Sequence, residues 1–147
     1  MNEYNAAFFG LFENVFLTLK ENLGPEQALT LFRKIMVNGL KKAYGTDFIK
    51  GEPLEFQRIV IERDNNVGLK VDCEFTSPEK QDFYYRFYDY PFPNLKDHIE
   101  SKDLDDTFIN FKVNYLLGEN WSYKTTKHIW NGDGLTEFLV YKNQLTI

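Results

Sequence analysis

The spacing of the apolar residues changes along this chain from the period of a helix to the period of a strand. In the first part they recur three or four positions apart, which predicts amphipathic helices over residues 3–22 and 25–44. Gly24 and Pro25 separate the two helices, so a helical hairpin is expected. After Pro53 the apolar residues begin to alternate with polar ones, as they do in strands. Because the helical period and the alternating period occur in separate blocks of the chain, an α+β fold is predicted.

The alternating pattern recurs between breaks formed by turn residues. Five segments are predicted as strands: 54–63, 67–75, 82–90, 121–130 and 135–142. Two short helices are predicted near 94–100 and 104–117. The expected architecture is an N-terminal helical hairpin and two further short helices packed on a mostly antiparallel sheet of about five strands. A length of 147 residues suits a single domain spanning 1–147.

The charge balance and the cysteine count exclude several classes of protein. The net charge is −5 and the few arginines are scattered, which argues against a nucleic-acid partner. The chain has neither the apolar run that crosses a membrane nor a basic leader, so a soluble, cytoplasmic protein is expected. The single cysteine, Cys73, lies on the apolar face of a predicted strand and is expected to be a core residue. The sequence contains no recognised motif for binding a metal or a cofactor, so we expect neither.

Aromatic residues are unusually frequent, at 17% of the chain. Part of this excess is concentrated in residues 83–92, where both faces of a predicted strand carry aromatic side chains. One face can pack on the helices, and the other must be covered or line a cavity. Tyr85 and Tyr88 beside Arg86 therefore predict an apolar pocket with a few polar groups, in which Arg86 would hold a carboxylate. Ordinary core and edge packing is the competing interpretation.

His128 is the candidate for acid–base chemistry. It alternates with Thr126 and Trp130 on a face of the fourth predicted strand that is both polar and aromatic. Such a face suits the wall of a ligand pocket, with Trp130 as part of that wall, although a half-exposed strand histidine would show the same pattern. The other histidine, His98, is expected at a solvated helix end.

The last hairpin carries a pattern of five residues that resembles a known signature. His128, Gly132, Asp133, Thr136 and Phe138 have the spacing of C-x-x-x-G-D-x-x-C-x-F, which closes 4-vinyl-reductase-like domains. Gly132, Asp133 and Phe138 match this signature outright. His128 and Thr136 occupy the places of its cysteines, and a tight hairpin would set these two residues across from each other.

The N-terminal hairpin resembles a related family. Residues 23–28, Leu-Gly-Pro-Glu-Gln-Ala, are similar to the Leu-Gly-x-Glu-x-Ala helix start of the L-2-amino-thiazoline-4-carboxylic acid hydrolase family. Tyr90 precedes a proline at the position where that family carries a Cys-Pro pair. Together the two resemblances imply an α+β fold that encloses a small-molecule cavity.

Three functions are left open by these observations. The hydrolase resemblance implies hydrolysis of a small cyclic amidine or amide acid, with His128 as general base or orienting group and Thr136 beside it. In that case the ligand-binding residues would be Arg86, Tyr85, Tyr88, Trp130 and Thr136. The vinyl-reductase-like resemblance implies instead a non-catalytic ligand-binding or sensor domain. The third alternative is an interaction subunit, such as a homodimer, that uses its aromatic face as the interface.

Overall fold

The computed structural model, described here for residues 1–144, contains four α-helices and one four-stranded antiparallel sheet. The helices are α1 (Glu3–Leu23), α2 (Pro25–Tyr44), α3 (Pro53–Asn66) and α4 (Ser101–Leu116). The strands are β1 (Val71–Phe75), β2 (Phe83–Phe87), β3 (Trp121–Lys127) and β4 (Thr136–Lys142). The α+β class predicted from the sequence is confirmed, with four strands where about five were expected. No helix in this part of the chain has both the length and the apolarity to cross a bilayer.

The N-terminal hairpin forms as its sequence predicts. The Asn2 side chain caps the start of α1 by accepting a hydrogen bond from the backbone N–H of Asn5. Gly24 alone separates α1 from α2, and its φ of 85° lies in the region that favours glycine. Its N–H closes α1 on the carbonyl of Lys20, while Pro25 opens α2. The single-residue link brings the two helices into contact along their lengths.

The sheet has the strand order β1-β2-β4-β3, so β2 is a central strand. Its register pairs Tyr85 with Phe138 on β4 and with Cys73 on β1. Side chains alternate between the two faces of a strand, which places Tyr85 among buried residues and Arg86 on the opposite, partly open face. The helices cover only the face that carries Tyr85, and the aromatic core lies between the helices and this face of the sheet.

The segment 54–63 is the main correction to the sequence-based prediction, because it is helical. Phe56, Ile59 and Val60 recur at offsets of three and four and are buried, which is the helical period. Leu54 and Ile61 point to solvent. The apolar run from Ile59 to Ile61 is compatible with either period, so alternation alone could not separate a strand from a helix here.

Several predicted boundaries also move. The first strand after α3 begins at Val71 instead of residue 67, and the predicted helix at 94–100 is a single 3-10 turn, Pro93–Leu95. Strand β3 ends at Lys127, and a second 3-10 turn, Ile129–Asn131, follows it. His128 consequently caps a turn at the end of β3, whereas the sequence pattern had placed it within the strand.

The two isoleucines of α3 test this correction. In a strand Ile59 and Ile61 would share a face, whereas in the helix Ile59 is 2% exposed and Ile61 is 38% exposed. We expect Ile59→Ala to lower the free energy of unfolding by about 2–5 kcal/mol. Ile61→Ala, the matched control, should change it by about 0.5 kcal/mol. Urea unfolding of both variants measures the difference, and equal losses would contradict the helical assignment.

Candidate functional site

An apolar cavity of about 160 Å³ lies between α1, α2, α4 and the C-terminal end of α3. Most of its wall is hydrocarbon and aromatic, with major contributions from Phe9, Phe12, Met36, Leu40, Phe92 and Phe108. The lining runs from exposed side chains, such as Phe8 and Ile35, to fully buried ones, such as Tyr44 and Lys112. The cavity therefore leads from the surface to a polar inner end.

That inner end is a buried ion pair with two phenol donors, which we call the Lys112 cluster: Lys112, Asp64, Tyr44 and Tyr85. Lys112 Nζ lies 3.1 Å from Asp64 Oδ2, and the two side chains are only 3% and 6% exposed. The Tyr44 hydroxyl donates to Asp64 Oδ1 at 2.6 Å, and the Tyr85 hydroxyl donates to Oδ2. Lys112 Nζ also donates to the Tyr85 oxygen at 3.0 Å. The buried carboxylate therefore receives three donors, as a buried charge requires.

Each member of the Lys112 cluster comes from a different secondary-structure element. Lys112 lies in α4, and Asp64 lies in the last turn of α3. Tyr44 is the last residue of α2, and Tyr85 is at the centre of β2. Aromatic rings surround the ammonium, whose Nζ lies 5.2–5.6 Å from the ring centroids of Tyr44, Tyr85, Phe87 and Phe108. Ring faces attract cations, so this cage stabilises the charge in addition to Asp64.

Burial sets the proton affinities of the cluster. It raises the pKa of Tyr44 and Tyr85 well above the ordinary value of a phenol, and the negative charge of Asp64 adds to that rise. Both phenols therefore remain protonated donors at neutral pH. Burial lowers the pKa of Lys112, and the attraction of Asp64 opposes that decrease. The cluster combines one cation with one anion, and Lys112 and Tyr44 both line the cavity.

The structure distributes the ligand-binding residues predicted on β2 over both faces of the sheet. Tyr85 joins the Lys112 cluster on the helix side. Arg86 lies on the other face, where its Nε donates to Glu137 Oε2 at 2.7 Å, and this hydrogen bond is the main cause of its raised pKa. The exposed Tyr88 donates its hydroxyl to Asp72 at 2.9 Å. Neither Arg86 nor Tyr88 lines the cavity between the helices.

His128 belongs to a second buried cluster near the end of β3. Its Nδ1 accepts a hydrogen bond from the backbone N–H of Trp130 at 3.1 Å, and its Nε2 lies 3.2 Å from Asp105 Oδ2. Tyr90 donates its hydroxyl to Asp105 Oδ1 at 2.6 Å, and its ring packs edge-on against both His128 and Trp130. Burial raises the pKa of Asp105, and the hydrogen-bonding groups of His128 and Tyr90 oppose that rise. The main chain thus occupies Nδ1, whereas the buried Nε2 and Asp105 Oδ2 lie close together without a well-aligned hydrogen bond between them or to another described residue.

The residues of the closing signature build the turn between β3 and β4. Asp133 accepts from the backbone N–H of His128 at 2.8 Å, while Gly132 adopts a left-handed conformation with φ of 90°. The hydroxyl of Thr136 accepts from the backbone N–H of Ile129 at 3.2 Å. The hairpin brings His128 and Thr136 close together, but the Thr136 hydroxyl is hydrogen-bonded to the main chain and not to His128.

The sequence pattern did not identify Lys112, Asp64 or Tyr44 as candidate site residues. A usable signal was present: Lys112 follows Phe108 and precedes Leu116 by four positions, so it lies on the apolar stripe of a predicted helix. A charged residue at such a position must find a partner when buried. Asp64 carried no comparable signal, because the segment before it was assigned to a strand.

Metal-binding groups and the single cysteine are the remaining candidates for chemistry in the described part of the chain. Within residues 1–144 no three or more His, Cys, Asp or Glu side chains form a group that could hold a metal ion. Cys73 is half-buried, and burial raises the pKa of its thiol, so the reactive thiolate is disfavoured.

No protein-family model matches the chain, and no curated protein matches it in sequence. The two family resemblances therefore stay predictions.

The charge pair in the Lys112 cluster makes a specific prediction about stability. Lys112→Met leaves Asp64 buried without its cation and should lower the free energy of unfolding by about 3–5 kcal/mol. Lys112→Met combined with Asp64→Asn removes both charges and should recover most of that loss. Lys102→Met, an exposed lysine of the same helix, is the control, with an expected change of about 0.5 kcal/mol. Denaturant unfolding measures all three, and a Lys112→Met variant as stable as the control would contradict a buried, paired charge.

Proposed function

We propose that this protein is a binding domain for a small, largely apolar molecule, which it holds in the cavity between α1, α2 and α4. The observation that carries this proposal is the cavity itself, about 160 Å³ in volume and walled mainly by apolar side chains. An engineered apolar cavity of about 150 Å³ in another protein stays dry and binds benzene. A ligand with a six-membered ring or a short branched chain therefore matches this space.

Among the functions predicted from the sequence, the geometry favours ligand binding over hydrolysis. A general base needs a free nitrogen within hydrogen-bond reach of the proton that it removes. In His128, Nδ1 is bonded to Trp130 and Nε2 faces Asp105. His128 is buried and does not line this apolar cavity; it borders a separate, more polar surface depression between α4 and β3. The non-catalytic, vinyl-reductase-like alternative requires no general base and agrees better with an apolar cavity that opens to the surface.

An aromatic interface has less support than a ligand cavity. Five of the seven aromatic side chains between residues 83 and 92 are buried in the core: Phe83, Tyr85, Phe87, Tyr90 and Phe92. Tyr84 is half-buried and Tyr88 is exposed, which leaves little aromatic surface for a homodimer contact. The aromatic excess of this segment is therefore used mainly to pack the sheet against the helices, and of its seven rings only Phe92 lines the cavity.

Binding of a neutral hydrocarbon tests the proposal. Methylenecyclohexane has the size of the cavity and no charge. At a concentration 100 times its dissociation constant it should add about 2.7 kcal/mol of stability and raise the melting temperature by roughly 5–10 °C. Thermal unfolding with and without the compound measures this shift. No shift at saturating concentration, together with no change in the amide NMR spectrum, would contradict the proposal.

Two helical glycines provide a matched pair of variants for the same test. Gly39 lines the cavity, whereas Gly10 does not. A Cβ added at either position has no neighbour within 4 Å, so both substitutions fit the backbone. Gly39→Leu should place its side chain in or over the cavity and abolish the methylenecyclohexane shift, while Gly10→Leu should retain it. Loss of the shift in both variants, or in neither, would argue against this cavity as the binding site.

A further inference from the structure

We infer that the ligand of this cavity carries one uncharged hydrogen-bond acceptor, such as a ketone carbonyl, to which the ammonium of Lys112 donates a hydrogen bond. This inference rests on the proposed binding function and adds the chemical class of the ligand. It depends on where Lys112 lies, which hydrogen-bond partners it has, and how its charge is balanced.

Lys112 lines the cavity and has one N–H group more than it has oxygen partners in the described part of the chain. An ammonium has three N–H groups, and those of Lys112 have two oxygen partners within residues 1–144, Asp64 Oδ2 and the Tyr85 hydroxyl. The side chain lines the cavity, and its remaining surroundings are aromatic rings. A buried donor gains most from an oxygen acceptor, because water has been removed from around it. A ligand oxygen at the inner end of the cavity would supply the third partner.

The charge balance of the cluster selects an uncharged acceptor over an anion. Asp64 already neutralises Lys112 at 3.1 Å, and the Tyr44 hydroxyl completes the coordination of the carboxylate. A ligand carboxylate at this end would lose its hydration and lie beside the negative charge of Asp64, with no unbalanced cation to compensate for it. A carbonyl oxygen accepts the same N–H group without bringing a second negative charge.

The other cation of the cavity lies at its outer end. Arg63 lines the cavity but is exposed, and its nearest acidic partner is Glu62 at 3.9 Å. An anionic ligand would find its counter-charge there, at the surface, instead of at the cluster. Arg63 and Lys112 therefore distinguish the two ligand classes, because each class depends on a different one of these residues.

Three probes with the same six-membered ring separate these possibilities. Methylenecyclohexane has no acceptor, cyclohexanone replaces its terminal carbon with oxygen, and cyclohexanecarboxylate carries the charge.

Titration calorimetry on the wild type and on Lys112→Met measures the affinities. We expect Lys112→Met to weaken cyclohexanone about ten-fold or more, because a hydrogen bond from a charged donor is lost. Methylenecyclohexane should change by about two-fold or less, and cyclohexanecarboxylate should bind most weakly of the three. Arg63→Gln tests whether the carboxylate depends on the outer cation. Arg58→Gln is the control, because Arg58 is an exposed arginine of α3 that does not line the cavity, and it should leave all three affinities unchanged.

A second variant and a spectroscopic measurement protect the test against misfolding. If Lys112→Met does not fold, Lys112→Met with Asp64→Asn removes both charges, and the amide that it introduces is a weaker donor than the ammonium. The carbonyl stretch of bound cyclohexanone should lie at lower frequency in the wild type than in this double variant, since a hydrogen bond from an ammonium weakens the C=O bond. Equal frequencies would overturn the inference.

The outcomes separate this inference from the proposed function. If methylenecyclohexane and cyclohexanone bind and neither responds to Lys112, the cavity function stands and the head-group inference is wrong. If cyclohexanecarboxylate binds most tightly and depends on Arg63, the ligand is an anion and the inference is also wrong. If no probe binds, both the inference and the proposed function fail.

Discussion

The buried contact between Lys112 and Asp64 joins α3 to α4 and, through its hydrogen-bond partners, constrains three of the four helices. Each charge would be costly in the interior without the other, so the end of α3 and the middle of α4 must meet within hydrogen-bond distance. Tyr44 and Tyr85 extend the same requirement to α2 and β2, because Asp64 accepts from both phenols. Four elements are thus held at one point by polar contacts, while the surrounding aromatic rings pack them together through non-directional burial.

The cavity follows from this arrangement. Phe9, Phe92 and Phe108 meet edge to face in its wall, and the space lies where α1 and α2 pass over the cluster. The result is an apolar chamber with one polar end, which is the usual composition of a small-molecule site. His128 and Asp105 form the other buried polar cluster. Their partners are the backbone of the β3–β4 turn and Tyr90, so their contacts join that turn to α4.

Local sequence patterns were sufficient to predict those elements whose apolar residues follow a single period, either helical or alternating. The helices on either side of Gly24 and the alternating strands β1 and β4 carry long, regular periods that the tertiary structure keeps. The α3 segment could not be predicted in the same way, because the three consecutive apolar residues 59–61 satisfy both periods. The candidate site was predicted only in part: Tyr85 lies in the Lys112 cluster, whereas the neighbouring Arg86 faces the other side of the sheet.

The α+β class, the helical hairpin and the concentration of aromatic residues before α4 can be predicted from the sequence, because each depends on residues close together in the chain. Which charged groups are buried, and which of them meet, depends on the folded chain. Lys112 and Asp64 are 48 positions apart, and Tyr44 is 20 positions before Asp64. Burial and charge pairing depend on how distant elements pack, and no local period encodes that packing. The polar end of the cavity, and with it the chemistry of the proposed ligand, therefore became visible only once the chain was folded.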